Sequence, residues 1–97
     1  MRVLKGVISE SWDYYQNIQS RIEMRLKALP KGTIKKRNLS GQIYYYLQYR
    51  QDKKVVHSYI GKTKPEKLEK EIKERRALLQ QLREVRKSLK LLSKVHR

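Results

Sequence analysis

Gln42-Ile43-Tyr44-Tyr45-Tyr46-Leu47-Gln48-Tyr49-Arg50 decides the fold. Four of the chain's seven tyrosines fall in it, and it holds no Gly or Pro. Aromatic and β-branched residues in a short run favour a strand. Successive side chains of a strand face opposite sides. One face then carries Ile43, Tyr45, Leu47 and Tyr49, and the other Tyr44, Tyr46, Gln48 and Arg50. The first face is the more apolar and is expected to pack on the core. The second combines aromatic rings, an amide and a guanidinium and is expected to face outward.

Turn chemistry lies on both sides of this strand. Asn38-Leu39-Ser40-Gly41 precedes it and Gln51-Asp52-Lys53 follows it. Residues 33–37 and 54–60 read as flanking strands, which makes an antiparallel three-stranded meander over residues 33–60. Lys35 and Arg37 join the outer face, and so do His57 and Tyr59 if Val56 and Ile60 point inward.

Helices flank the sheet. Over residues 7–29, Ile8, Trp12, Tyr15, Ile18, Ile22, Leu26 and Leu29 recur at steps of three or four, with Ser9 or Ser11 as candidate caps and Pro30 and Gly32 as stops. Residues 63–97 read as one long helix: Thr63 and Glu66 have capping-box spacing, Pro65 suits a first turn, and Glu66–Lys70, Glu69–Lys73 and Glu71–Arg75 are favourable i,i+4 pairs. At about 1.5 Å per residue such a helix would reach roughly 50 Å. That exceeds a compact domain of this size, so part of it requires its own cover. The predicted fold is α+β, in the order α-β-β-β-α.

The run from Gln42 to Arg50, followed by Lys54-Val55-Val56-His57-Ser58-Tyr59-Ile60-Gly61-Lys62, resembles a family of small uncharacterised basic proteins. Leu29-Pro30-Lys31-Gly32-Thr33-Ile34 upstream and the charged helix downstream extend the resemblance over residues 29–75. It brings no known activity. In strand order and general character the chain also resembles the arm-type DNA-binding domains of tyrosine recombinases. That resemblance implies a sheet entering the major groove, with no catalytic residues carried over.

The last helix has two faces. Leu78, Leu82, Val85, Leu89, Leu92 and His96 form a heptad seam. Arg83, Lys87, Lys90, Lys94 and Arg97 repeat with the same spacing roughly opposite. Three covers compete for the seam: the N-terminal helix of the same chain, a second copy, or a different protein. Leu78, Leu82, Val85, Leu89 and Leu92 are accordingly a candidate protein interface. A basic amphipathic helix also suits an anionic membrane surface, but no Trp or Phe lies on its apolar side, which argues against a membrane partner.

Charge names the class of partner. The 97 residues carry 25 Lys and Arg against 9 Asp and Glu, a net charge of +16. Residues 31–64 hold nine bases against Asp52 alone, and residues 83–97 hold six against Glu84. An excess concentrated in this way is a phosphate footprint rather than an interspersed solvated surface. The length allows one domain. With no Cys, disulfide frameworks, zinc ribbons and thiol catalysis are excluded. No apolar run approaches the ~20 residues of a membrane span, and no signal peptide is read, so a cytoplasmic protein is expected.

Catalysis is not expected. His57 and His96 are the only histidines and neither has an acidic neighbour at ligand spacing. The glycines are isolated turn residues rather than a phosphate-cradling loop. No carboxylates cluster for metal ions, and no cofactor or metal is implied. The expected function is nucleic-acid binding, double-stranded DNA ahead of RNA, through Lys35, Arg37, Tyr44, Tyr46, Gln48, Arg50 and His57. Lys53, Lys54, Lys62 and Lys64 add phosphate contacts from turns, with Arg83, Lys87, Lys90 and Lys94 along the helix. The alternative is an interaction module, such as an antitoxin, an inhibitor or an accessory subunit, that grips a partner through its helices.

Overall fold

The computed structural model describes residues 2–95, in the order α1 (Arg2–Ala28), β1 (Thr33–Leu39), β2 (Gln42–Gln51), β3 (Lys54–Gly61) and α2 (Glu66–Ser93). This is an α+β chain with one antiparallel sheet, ordered β1-β2-β3, and a long C-terminal helix. His96 and Arg97, the last residues of the predicted seam and basic stripe, lie outside the described residues.

Two tight turns set the sheet. Ser40 and Gly41 have φ of 53° and 81°, and Asp52 and Lys53 have φ of 49° and 67°. Positive φ at both central residues is the type I′ pattern, whose twist matches that of a hairpin. Gly41 adopts it freely, whereas Ser40, Asp52 and Lys53 carry a Cβ that crowds the following carbonyl. The turns place Arg37 opposite Tyr44, Lys35 opposite Tyr46 and Thr33 opposite Gln48 across β1 and β2. Across β2 and β3, Tyr46 faces Tyr59, Gln48 faces His57 and Arg50 faces Val55.

The described residues form two compact units. The first spans Leu29–Arg75 and contains the sheet with the opening turns of α2. Its buried apolar side chains are Leu29, Tyr45 and Ile72. Gly32 lies against β2: a Cβ there would sit 2.6 Å from the Gln48 backbone oxygen and 3.0 Å from Leu47 Cδ1, at a φ of 126°. Only glycine fits that approach.

The second unit joins α1 to α2 from Arg76 onward. Ile22, Leu82, Val85 and Leu89 are buried together, with Trp12, Tyr15, Ile18, Leu26 and Leu78 packed around them. Leu92 is half-buried. The heptad seam is therefore covered by α1 of the same chain. Packing on α1 is the first of the three covers expected for the seam, and it takes up Leu78, Leu82, Val85 and Leu89 of the residues expected as a protein interface: a seam that short buries its apolar area most readily against the helix tethered to it. Arg86 and Glu23 bridge the two helices at 3.8 Å.

Helix ends also differ from the expected ones. α1 begins at Arg2, so Ser9 and Ser11 lie within it and cap nothing. Gly6 is a modest helix penalty of about 1 kcal/mol. At α2, the Glu66 N–H donates to the Lys64 carbonyl at 3.0 Å and the Glu69 N–H to that of Pro65 at 2.9 Å. The Glu66 N–H thus has a backbone acceptor, and Pro65 takes the cap position that the Thr63–Glu66 box was expected to supply.

Gly32→Ala is expected to lower stability by more than about 1 kcal/mol, and Lys53→Gly to raise it by roughly 0.5–1 kcal/mol by relieving the left-handed turn position. Thermal melts of the two variants, moving in opposite directions from the parent, check both. Leu89→Ala, which empties part of the helical core, should cost roughly 2–5 kcal/mol in urea unfolding.

Candidate nucleic-acid interface

Register and alternation together place Thr33, Lys35 and Arg37 of β1, Tyr44, Tyr46, Gln48 and Arg50 of β2, and Val55, His57 and Tyr59 of β3 on one face of the sheet. Tyr45, buried at 7% exposure, belongs to the opposite face. Val56 and Ser58 pair with Tyr49 and Leu47 on that opposite face, which leaves His57 and Tyr59 outside, as expected. Lys36, opposite Tyr45, also falls on the buried side's parity, although it is exposed.

The rings of this face pack on one another. Tyr46 and Tyr59 have centroids 5.4 Å apart, and Tyr44 and Tyr59 6.3 Å apart, both tilted. Tyr59 remains 54% exposed, while Tyr44, Tyr46 and Gln48 are half-buried among their neighbours. Cations sit over two of the rings. The Arg37 Cζ lies 4.9 Å from the Tyr46 centroid, and the Lys62 Nζ 5.8 Å from the Tyr44 centroid. Each such contact at an exposed site contributes about 0.5–1 kcal/mol.

Arg37 also spans the width of the sheet. Rooted on β1, it donates from Nη2 to His57 Nδ1 on β3 at 3.1 Å. A guanidinium only donates, so Nδ1 is assigned as the acceptor and the neutral ring's proton to Nε2. The guanidinium is thereby held over the middle strand from both sides.

Lys62 reaches the face through an irregularity. Tyr45 pairs with Gly61 and Tyr46 with Tyr59, so Ile60 is an extra residue in β3. Such a bulge reverses the alternation beyond it. Without it, Lys62 would fall on the buried side. With it, Lys62 lies over the Tyr44 ring.

The remaining predicted residues fall at the periphery. Arg50, Lys53 and Lys54 are exposed at the β2–β3 turn. Lys64 is exposed and meets Glu69 at 3.9 Å, which offsets part of its charge. Arg83, Lys87, Lys90 and Lys94 are exposed on the helical unit. There Arg83 bonds Gln80 at 3.3 Å and Lys87 meets Glu84 at 3.4 Å. Exposed pairs of this kind are weak and exchange readily for phosphate.

Tyr59, Thr33 and Val55 were not assigned a binding role from sequence, yet they complete the face. The alternation of β3 was the available signal for Tyr59, and the register was needed for the other two. No Asp or Glu occurs in β1, β2 or β3. Among the described residues, no three His, Asp or Glu side chains cluster to hold a metal ion, and no helix is long and apolar enough to cross a membrane.

Residues 12–70 match a protein family described as a domain of unknown function (DUF6788), and the chain belongs to that family. No curated protein and no solved structure matches the chain.

Proposed function

We propose that this member of a family of unknown function is a non-catalytic nucleic-acid-binding protein that takes double-stranded DNA on the outer face of its sheet. The observation that carries the reading is the single acid-free face on which Lys35, Arg37, Arg50, His57 and Lys62 surround Tyr44, Tyr46 and Tyr59. The Lys and Arg side chains neutralise phosphates and release counterions. Gln48 and Arg50 offer donors to base edges, and the tyrosine hydroxyls offer donors to phosphate.

Ring geometry favours a duplex over unpaired strands. A stacking platform presents bare aromatic faces to bases. Here Arg37 covers a face of Tyr46 and Lys62 a face of Tyr44, and both rings contact Tyr59. A base stacking on the covered face of Tyr44 or Tyr46 would have to displace a cation. Lys53, Lys54 and Lys64, near the ends of β3, suit the flanking phosphates; Arg83, Lys87, Lys90 and Lys94 add basic charge on the helical unit.

Fluorescence anisotropy with duplex DNA, duplex RNA and single strands across a salt series tests it. Duplex DNA should bind tightest at physiological salt, with log K falling at a slope that implies roughly five or more phosphates. Lys53→Ala or Lys35→Ala should each lower that slope by about one, while Lys67→Ala, a charge-matched change on α2, leaves it nearly unmoved. Equal binding of all forms, lost near 0.15 M salt, would mark a generic polycation and overturn the proposal.

A further inference from the structure

We infer that Arg37 is a base-reading side chain selective for guanine, with His57 as its positioning residue. This rests on the duplex-DNA reading and adds sequence discrimination to it.

The basic residues of the face divide into two kinds. Lys35, on an edge strand, and Lys53 and Lys54, at the β2–β3 turn, are exposed at its margins. Long, mobile cations there suit phosphates, which carry no sequence information. Arg37 differs in place and in constraint. Its guanidinium has left its own edge strand, lies 4.9 Å from the Tyr46 centroid on the middle strand, and bonds His57 on the far strand at 3.1 Å. A sheet laid face-down on the major groove brings its middle strand nearest the base edges and its outer strands nearest the phosphates. The Arg37 guanidinium, held over that strand away from its end, therefore meets base edges, whereas Arg50 stands at the strand's turn end.

Its restraint supplies the selectivity. Ordering a free Arg on binding costs conformational entropy, and His57 with Tyr46 has already met part of that cost. The His57 bond uses one of the five N–H donors of the guanidinium. A pair of the others matches the O6 and N7 acceptors of guanine. No carboxylate on the three strands competes for them. Lysine at this position keeps the charge but loses the fork, which separates base reading from simple attraction.

The test selects ligands from a duplex DNA library with a randomised core, using the full chain, and then measures anisotropy with the enriched duplex. The parent protein should enrich a G·C pair whose replacement weakens binding about 5- to 150-fold. Arg37→Lys should reduce that discrimination to less than about 2-fold while keeping the parent's salt slope, since its charge is unchanged. His57→Ala should lose much of the discrimination, and His57→Gln, whose side-chain oxygen can accept from Arg37, should restore it. Thermal melts confirm that each exposed-site variant folds. Enrichment without a guanine, or a guanine preference that survives in Arg37→Lys, overturns the inference while duplex binding with a steep salt slope leaves the proposed function standing. An unchanged preference in His57→Ala overturns the positioning role. Failure of every duplex to bind at physiological salt overturns the proposed function and this inference with it.

Discussion

Burial of Tyr45 sets the direction of every other side chain in the sheet. Strand side chains alternate with a period of two, so a one-residue slip would exchange the two faces outright. With Tyr45 in the core of its unit, Tyr44, Tyr46, Gln48 and Arg50 are committed to the other side. Both neighbouring strands inherit that choice through their registers, which the two I′ turns hold in place. The proposed binding face is thus the consequence of one buried ring and two tight turns.

The same sheet resolves a tension common to small basic domains. A face crowded with cations repels itself, and here the repulsion is offset without acids. Tyr44, Tyr46 and Tyr59 interleave with the charges, two cations rest over rings, and His57 accepts a hydrogen bond from Arg37. These contacts are individually modest, but they leave the positive potential undiminished because none of the partners is charged negative. Carboxylates in the same places would have steadied the face and cancelled the field that attracts phosphate.

The helical unit supplies the counterpart. Its seam buries Ile22, Leu82, Val85 and Leu89, and its charges lie outside, several of them in weak local pairs such as Lys87–Glu84. α2 serves both units, with Ile72 buried in one and Leu82 in the other. A helix of 28 residues is longer than one small core can cover, and α1 provides the second cover.

Much of this was legible in the residue order. The two-sided pattern of residues 42–50, the turns on either side of it, the two apolar helical stripes and the position of the charge excess all follow from local chemistry and periodicity. Local signals cannot say what meets what. The seam's period was plain, yet α1, a second copy and a foreign partner would satisfy it equally, and only packing chose α1. The Ile60 bulge that turns Lys62 outward depends on strand pairing, because an extra residue is extra only relative to its partner strand. The bond from Arg37 to His57, 20 positions away in sequence and two strands over, exists because β2 lies between them at a fixed spacing. Sequence determined the elements, the faces and the sign of the surface, since those are properties of neighbours along the chain. Tertiary structure decided the cover of the seam and the placement of Arg37 and Lys62, since those are distances between residues that the chain itself does not hold together.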